Sequence, residues 1–417
     1  MSCARTIRWT LTGLLVIMAG LVFADGFRNP PEGGAAMGRA GTRLTQGTDA
    51  TATIHNPANL MDLDKATAMP SFTVGYIEVD YNGPLGTATT EDPLRVLPGV
   101  FANWPVSEDV MAGVAFHIPY GQFTSWPKAG ALQFAAPYYA EMKTINVSPV
   151  VATRLSDSVT VGVGVDLMWS QLDIRQRLPW GMMTGIPALG VGEAALKADG
   201  YGVGAHAGLT WSIDEAQRFS VVYQSAKSVD YEGDFEIEGL PPGMVPLTPR
   251  SDAETEIDFP SLLAAAYGVR VRDDVYVELQ VEWIEHSRFE SLDIDAGNNT
   301  ALLAEAYGTP NLPQDWDDTV SVSVGCDWDV AEHWVLRGGA LYLPTPVPEE
   351  TLMPQLPEGD KYIFTLGAGR RTGSGVFDVC YGFVLAEDVT VDDPRNPVPG
   401  TYETDQHIFS VSYSQTF

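Results

Sequence analysis

Positive charge is scarce in this chain. It carries 24 Lys and Arg against 54 Asp and Glu, which gives a formal net charge of −30 at pH 7. This balance argues against a nucleic-acid partner, because binding a phosphate backbone requires clusters of Lys and Arg. Acidity on this scale is typical of solvated loops, and we assign most of the carboxylates to loops.

Long apolar runs and cysteine are scarce as well. The one long run, Leu11–Phe23, lies at the N-terminus, and after Ala24 no stretch approaches the ~20 apolar residues that a membrane helix needs. The rest of the chain is therefore either soluble or crosses a membrane as strands. Of the three cysteines, Cys326 and Cys380 lie beyond this run. The strand pattern places them on opposite faces of non-neighbouring strands, which argues against a disulfide.

The first 24 residues have the features of a secretory signal. Arg5 and Arg8 precede the apolar run, and Val22–Ala24 provides small residues where a signal peptidase cleaves. We predict a signal peptide over residues 1–24, with Asp25 as the first residue of the mature protein. An uncleaved anchor helix is the alternative.

Strict alternation dominates the remainder. From Val159 to Trp169 the odd positions are apolar and the even positions are mostly small or polar, and the last strand, ending at Phe417, alternates in the same way. We count about fourteen such segments of about 10 to 18 residues, longer than the ~5–6 residues common in soluble proteins and close to the ~9–11 of a tilted membrane strand.

The connections between these segments alternate between short and long. Ser156-Asp157 is a short one, whereas Gly121–Ala140 and Arg177–Asp199 are long. Outer-membrane barrels have short periplasmic turns and long external loops. The sequence thus predicts an all-β fold, a fourteen-stranded antiparallel transmembrane β-barrel over residues 67–417, in the outer membrane of a Gram-negative bacterium. A soluble β-protein whose apolar face forms a core is the alternative.

Residues 25–66 do not alternate. The segment is rich in Gly and small polar residues, as in Gly33–Gly41, and it is too short to form a stable domain by itself. We predict that it forms an N-terminal hatch, or plug, inside the lumen of the barrel. A disordered leader is the alternative.

Several motifs resemble one family of outer-membrane proteins. Asp25–Phe27, the run Met37–Gly41 and the run Asn56–Leu60 ahead of a first strand resemble the long-chain fatty-acid transporter (FadL/TodX-type) family, and the resemblance spans essentially the whole mature chain. It implies a fourteen-stranded barrel, a hatch in the lumen, uptake of hydrophobic compounds, and exit sideways through a gap beside strand three.

Ligand-binding residues are predicted from two sources. The resemblance implies that Phe27 lies under the bound ligand. The third and fourth long loops are unusually apolar for external loops, which suggests a groove that captures the ligand. Burying the apolar surface of a hydrophobic solute there would stabilise it by roughly 25 cal/mol per Å². The groove residues would be Leu178, Trp180, Met182, Met183 and Ile186 in the third long loop, and Leu240 and Met244 in the fourth. Alternatively, these residues pack on one another as a lid.

Pro119 is the basis for a predicted lateral gate. It interrupts a strand whose outward face would carry Val114, Phe116 and Ile118, and proline cannot donate a ladder hydrogen bond. Pro119 would leave a gap in the hydrogen-bond ladder of the barrel wall, and Gly121 would add flexibility there. We expect hatch residues to lie on the lumen side, opposite this gap. The hatch residues we assign to this gate are Gly38, Gly41, Asn56, Pro57 and Ala58. Alternatively, Pro119 simply ends the strand at the external rim.

No catalytic, metal or cofactor site is predicted, because the six His are scattered singly and no nucleophile motif is present. Glu278, Glu282 and His286 would share one lumen-facing side of a strand, which we interpret as a solvated lumen wall.

The ligand need not be a carboxylate. The resemblance implies that family members that take fatty acids have basic lumen residues near the head group. Ahead of the tenth strand, where we would expect such a residue, this chain has Asp315, Asp317 and Asp318, which would repel a carboxylate. Alternatively, Arg175, Arg177 or Arg371 could take the place of the basic residue.

The predicted function is passive uptake of hydrophobic small molecules, such as long-chain fatty acids or aromatic and aliphatic hydrocarbons. A porin-like aqueous channel or a structural barrel is the alternative. The expected partners are these molecules, outer-membrane lipid, lipopolysaccharide and the barrel-assembly machinery, which would recognise the terminal Phe417. We expect a monomer.

Overall fold

A computed structural model describes residues 26–302 and 311–417. The predicted signal peptide and Asp25 lie outside the described residues. Within the described ranges, no helix is both long enough and apolar enough to cross a membrane.

Fourteen long strands form one closed antiparallel barrel, in which each strand pairs with the next and the last pairs with the first. The strands are β1 Thr67–Gly83, β2 Leu94–Ser107, β3 Val110–His117 and Gly121–Ser125, β4 Tyr139–Ser156, β5 Val159–Leu178, β6 Gly192–Ser212, β7 Gln217–Gln224 and Lys227–Glu238, β8 Arg250–Phe259 and Leu262–Arg272, β9 Val275–Ile284, β10 Thr319–Ala331, β11 Trp334–Leu343, β12 Lys361–Arg371, β13 Gly375–Ala386 and β14 Gly400–Thr416. The predicted fourteen-stranded antiparallel barrel is confirmed.

The other elements are short. They are the helices α1 Gly34–Met37, α2 Ala52–His55 and α3 Trp180–Thr184, the 3₁₀ turns Pro57–Asp62, His286–Arg288 and Gly297–Asn299, and the loop strands Gly86–Thr89, Ser291–Asp295, Asn311–Pro313 and Val389–Val391.

The strands turn their apolar faces outward. On β5 the side chains of Val163, Val165 and Leu167 are 60%, 45% and 49% exposed, whereas Asp166 and Ser170 between and beside them are buried. In water this arrangement would be unfavourable, but lipid covers an outward apolar face and the closed ladder pairs its backbone groups. The alternation in the sequence thus encodes a membrane barrel rather than a soluble core.

The predicted long loop Arg177–Asp199 is shorter than expected. β6 begins at Gly192 rather than near Gly200, because β5 and β6 remain paired as far as Leu178 and Gly192. β7 also continues to Glu238. The outward residues of these extensions are charged, so that their composition resembles that of loops and the sequence predicted loops here. The inward residues, such as Leu196 and Phe235, are apolar and buried.

Residues 26–66 lie within the barrel. The Arg39 guanidinium donates to Glu278 of β9 and Asp327 of β10, both at 2.9 Å, and Asp62 pairs with Arg218 of β7 at 2.6 Å. Arg39 is fully buried. A buried charge is tolerated only when it is paired, so these contacts fix the segment against the inner wall.

Candidate functional site

An apolar cavity of about 150 Å³, here called the chamber, lies between the N-terminal segment and the external loops. It is lined by Phe27, Pro137, Ala140, Met142, Leu172, Ile174, Leu178, Ala194, Leu196, Phe235, Ile257, Phe289, Leu292, Ile294, Leu302, Leu312, Trp316, Met353 and Leu356, together with Gln122, Gln176, Gln314 and Gln355. No charged side chain is among the described residues that line it. Binding in the chamber would therefore depend on apolar contact and on amide hydrogen bonds.

Aromatic rings cluster around Phe27. Its ring centroid lies 4.8 Å from that of Trp316, 5.1 Å from that of Phe289 and 6.3 Å from that of Phe259. Gly26 makes this packing possible, because its φ is +61° and a Cβ there would lie 2.3 Å from the Trp316 ring. Glycine alone fits such a position without strain. The N-terminal residues therefore place an aromatic ring in the chamber wall.

The wall of the barrel is interrupted beside β3. The β2–β3 ladder ends at the pair Val100–Phe116, and after Pro119 the strand resumes as Gly121–Ser125, which pairs with β4 alone in the described chain. A hydrogen bond of 2.6 Å from the Glu91 nitrogen to the Ser125 oxygen closes the external end. We call this bounded gap, between residues 92–99 and 117–124, the window.

The N-terminal segment occupies the inner side of the window. The Asn29 nitrogen donates to the Pro119 oxygen at 2.9 Å, and the Gly121 nitrogen donates to the Phe27 oxygen at 2.7 Å. The Ile118 nitrogen donates to a Glu32 carboxylate oxygen at 3.0 Å. Backbone groups freed from the wall ladder are thus satisfied by the N-terminal segment, as a membrane interior requires.

A second cavity, of about 70 Å³, lies on the lumen side of the window and is here called the vestibule. It shares three lining residues, Gln122, Gln355 and Leu356, with the chamber. The Gln122 amide donates to the Gln355 carbonyl at 2.6 Å, which ties the loop between β11 and β12 to β3. The chamber and the vestibule are therefore adjacent, with Gln122, Gln355 and Leu356 in the wall between them, and the vestibule borders the window.

The family described as "Outer membrane protein transport protein (OMPP1/FadL/TodX)" matches residues 15–417. The chain belongs to this family. It is an outer membrane protein. Among the relatives of this OMPP1/FadL/TodX protein, the long-chain fatty acid transport protein of Escherichia coli O6:H1 is 22% identical over 360 residues, covering 76% of this chain and 77% of that protein. The long-chain fatty acid transport protein of Salmonella typhi is 21% identical over 400 residues, covering 88% of each chain.

Solved structures of the family share the fold. A Pseudomonas aeruginosa FadL homologue superposes with a TM-score of 0.82 at 21% identity, covering 94% of this chain and all of that one. The Pseudomonas putida toluene transporter TodX superposes with a TM-score of 0.72 at 18% identity, covering 92% and 98%. The family resemblance predicted from the N-terminal motifs is confirmed.

The predicted ligand residues separate into three groups in this OMPP1/FadL/TodX barrel. Phe27 and Leu178 line the chamber. Trp180, Met183, Leu240 and Met244 instead pack in the apolar cluster around Leu178 and Phe235, among the external loops. Met182 and Ile186 point outward and are 75% and 53% exposed. The structure therefore places the third and fourth loops largely as a packed lid. The inward side chains of β4 and β5, such as Met142 and Leu172, were not predicted as chamber residues. Their place in the alternation shows that they face the lumen.

The predicted position of the Asn56–Ala58 turn was wrong. Asn56 donates to Thr210 of β6 at 2.9 Å, and its side chain also accepts from the Ala58 nitrogen. A Cβ on Gly162 of β5 would lie 2.4 Å from Pro57. The turn therefore rests against β5 and β6, and Asn56 caps the 3₁₀ turn Pro57–Asp62. The residues that lie beside Pro119 are Phe27, Asn29 and Glu32 instead.

The two glycines that were predicted to belong to a hatch also lie away from the window. Gly38 packs against Gly367 of β12, where a Cβ would meet the Gly38 Cα at 3.0 Å, and Gly41 adopts a φ of +85° beside Pro31. Ile118 was predicted to face lipid with Phe116, but it is buried against Leu97. The interruption at Pro119 reverses the facing of the residues beside it, which the alternation could not indicate.

The predicted wet wall on β9 is a docking surface. Glu278 is fully buried, and it accepts from the Leu44 nitrogen at 2.7 Å as well as from Arg39. Glu282 pairs with Arg28 at 2.6 Å, and the buried His286 ring lies against Trp316. Glu278 and Glu282 thus bind the N-terminal segment and His286 packs on Trp316, so the interpretation as a solvated wall was wrong.

The N-terminal segment also has an internal ion pair. Burial alone would raise the pKa of Asp49, but the Arg43 guanidinium at 2.8 Å and hydrogen bonds from Thr51 lower it. Burial lowers the pKa of His55, so its ring is neutral at neutral pH. Asp49 and Arg43 thus form a charged pair that holds the segment together in the lumen.

Proposed function

We propose that this chain imports hydrophobic small molecules by passive diffusion, binding them in the chamber and releasing them sideways through the window into the membrane. One observation carries the proposal. An uncharged apolar chamber lies close to an interrupted stretch of wall, and the residues that cover the inner side of that stretch, Phe27 to Asn29, belong to the N-terminal segment rather than to the barrel ladder.

The chamber favours neutral apolar ligands. An uncharged lining offers no partner to a carboxylate, so a ligand need not be an acid. The three arginines considered as head-group partners do not line it: Arg175 pairs with Asp173, Arg177 donates to the Lys128 carbonyl, and Arg371 pairs with Asp329. Related proteins are named for long-chain fatty acids, for toluene and for monoaromatic hydrocarbons. We propose apolar compounds of these classes as substrates.

Residues 25–66 would act as the hatch in this scheme, with residues 67–417 as the barrel and residues 1–24 as a signal peptide removed before assembly. The charged contacts of Arg39 and Asp62 would keep the hatch seated. Movement would be confined to Phe27–Glu32, which contact the window through backbone groups, the Asn29 side-chain amide and the Glu32 carboxylate.

The external loops would provide the first contact. Met182 and Ile186 offer exposed apolar surface above the packed lid formed by Trp180, Met183, Leu240 and Met244. Methionine adapts to ligands of different shape, which suits a capture surface. A solute would then pass beneath the lid into the chamber, which Leu178 lines.

A porin-like aqueous channel is the second candidate, and the filled lumen disfavours it. We further propose that the chain acts as a monomer without catalytic activity, that lipid and lipopolysaccharide contact its outer face, and that the barrel-assembly machinery recognises Phe417, whose side chain is 75% exposed.

Uptake into liposomes containing the purified protein tests the proposal. The panel would comprise toluene, a long-chain alkane, a fatty acid and its methyl ester, with a sugar as the hydrophilic control. We expect the apolar compounds to enter faster than into protein-free liposomes, and the sugar to be excluded. Entry of the sugar without entry of the apolar compounds would support the porin-like alternative instead.

A further inference from the structure

One polar atom in the wall of the chamber has no partner. Trp316 is 4% exposed and lines the chamber, and no atom of the described residues accepts a hydrogen bond from its Nε1. Among the described residues that line the chamber, it is the one with a buried side-chain donor left unpaired. A buried N–H group without an acceptor is unfavourable, and an acceptor that enters the cavity would remove this penalty.

The residues around Trp316 hold its ring in one orientation. The ring centroid lies 4.8 Å from that of Phe27, 4.9 Å from that of Phe289 and 5.9 Å from that of His286. The six-membered ring lies against Gly26, where a Cβ would be 2.3 Å from Cζ3. Because Nε1 belongs to the opposite edge of the indole, the packed edge is the carbon edge and the donor edge faces away from Gly26.

The other polar side chains of the chamber are already engaged with the protein. The amide nitrogens of Gln122, Gln314 and Gln355 each donate to a backbone carbonyl, at 2.6, 3.4 and 2.9 Å. A ligand oxygen in the chamber would have to share these donors, whereas the Trp316 donor has no competing acceptor among the described residues. Trp316 is therefore the donor best placed to bind a polar group of the ligand.

A neutral acceptor suits this donor better than an ionised one. The described lining of the chamber has no charged side chain, so a carboxylate would lose its hydration there without gaining a counter-ion. One hydrogen bond from an indole offsets only a small part of that penalty. A ketone or ester oxygen carries no charge, and its desolvation costs far less.

We propose that the chamber prefers apolar molecules with one neutral acceptor oxygen, such as ketones and esters, and that Trp316 Nε1 donates a hydrogen bond to this oxygen. The inference rests on the proposed function and names a preferred substrate class within it. Hydrocarbons of the same shape bind through apolar contact as well, but they leave the indole N–H unpaired. Trp316 is thus a specificity-determining residue of the chamber.

Acetophenone and α-methylstyrene test this role, because the two molecules have the same shape and differ only by a carbonyl oxygen in place of a CH2 group. Titration calorimetry with the purified full-length protein in detergent measures both dissociation constants. Trp316→Phe keeps an aromatic ring and removes the donor. We expect this variant to shift the ratio of the two constants by about fivefold against acetophenone, the effect of losing one neutral hydrogen bond. The smaller ring should weaken both compounds alike.

A second replacement keeps the shape of the side chain. Benzothienylalanine at position 316 has a sulfur atom where the indole has its N–H group, so the packing on Phe27 and Phe289 is retained. The same shift of about fivefold is expected, and this protein provides the comparison if Trp316→Phe does not fold.

Trp180→Phe is the matched control. Trp180 is also fully buried with an unpaired Nε1, but it packs in the lid and does not line the chamber. Its Nε1 lies against Gly192 of β6, where a Cβ would be 2.3 Å away, so a ligand has no room there. The control should leave the ratio of the two constants at the wild-type value.

Two results would overturn the inference. An unchanged ratio in both proteins altered at position 316 would show that Trp316 provides apolar contact alone, and an equal shift in Trp180→Phe would show that the effect does not arise in the chamber. Both leave the proposed function standing as long as the wild-type protein binds α-methylstyrene and carries it into liposomes. If the wild-type protein does neither, the proposed function itself fails.

Discussion

At the scale of single residues, Phe27 shows what sequence could and could not provide. Its place in the chamber was expected only through the family resemblance of Asp25–Phe27, because one aromatic residue in a Gly-rich segment has no periodicity to assign its direction. The loop residues show the opposite problem. Met182 and Trp180 are equally apolar in sequence, yet one is exposed and the other is buried. Which of them packs inward depends on contacts between distant loops.

Phe27→Ala should weaken binding of an apolar ligand in the chamber by about tenfold or more, since burying an aromatic side chain is worth roughly 1.5–3 kcal/mol. Titration calorimetry with methyl laurate measures the change. Phe364→Ala is the control, because Phe364 faces outward and is 48% exposed. Equal affinities for the two variants would remove Phe27 from the binding site.

At the scale of elements, period-two alternation located the strands well, since each strand has one apolar and one polar face. It failed where that rule is broken locally. The interruption at Pro119 was predicted from proline chemistry, but the burial of Ile118 was not, because the strand ends at His117 and Ile118 no longer follows its alternation. The position of the Asn56–Ala58 turn was mispredicted for another reason. Non-repeating segments carry local signals for a turn, but none for the strand they touch.

The contact of the Asn56–Ala58 turn, which belongs to the proposed hatch, with β6 gives a prediction at this scale. A Cβ added at Gly208 would lie 2.0 Å from the Asn56 side-chain oxygen, so Gly208→Ala should displace the turn, at a cost of roughly 1–3 kcal/mol. We expect the barrel to form and the ion conductance across a planar bilayer to rise. Gly373→Ala is the matched control, since a Cβ there meets nothing within 4 Å. Conductance equal in the two variants would show that this contact does not seat the hatch.

At the scale of the whole molecule, the barrel architecture can be predicted from the sequence. The path that a ligand would take through the barrel cannot. Alternation, strand length and the unequal connections predict a closed barrel, because lipid requires every backbone group to be paired. The compartments are formed by residues far apart in the chain. Phe27 meets Phe259 and Trp316 only once the N-terminal segment lies within the barrel, and the window exists because β2 and β3 separate beyond Val100 and Phe116. No local pattern encodes either meeting.

Cross-linking across the window tests lateral release most directly. In a background with Cys326 and Cys380 replaced by Ala, Leu97→Cys and Ile118→Cys would be joined by a short bifunctional thiol reagent, since these side chains pack together across the gap. The control pair is Val100→Cys and Phe116→Cys, which face each other in the intact ladder just beside the window. Uptake of methyl laurate and its binding in the chamber would be measured before and after cross-linking.

We expect the cross-link between positions 97 and 118 to abolish uptake while chamber binding persists, and the control cross-link to change neither. Reversing the cross-link with a cleavable reagent should restore uptake. Undiminished uptake with the window fully cross-linked would contradict release through the barrel wall.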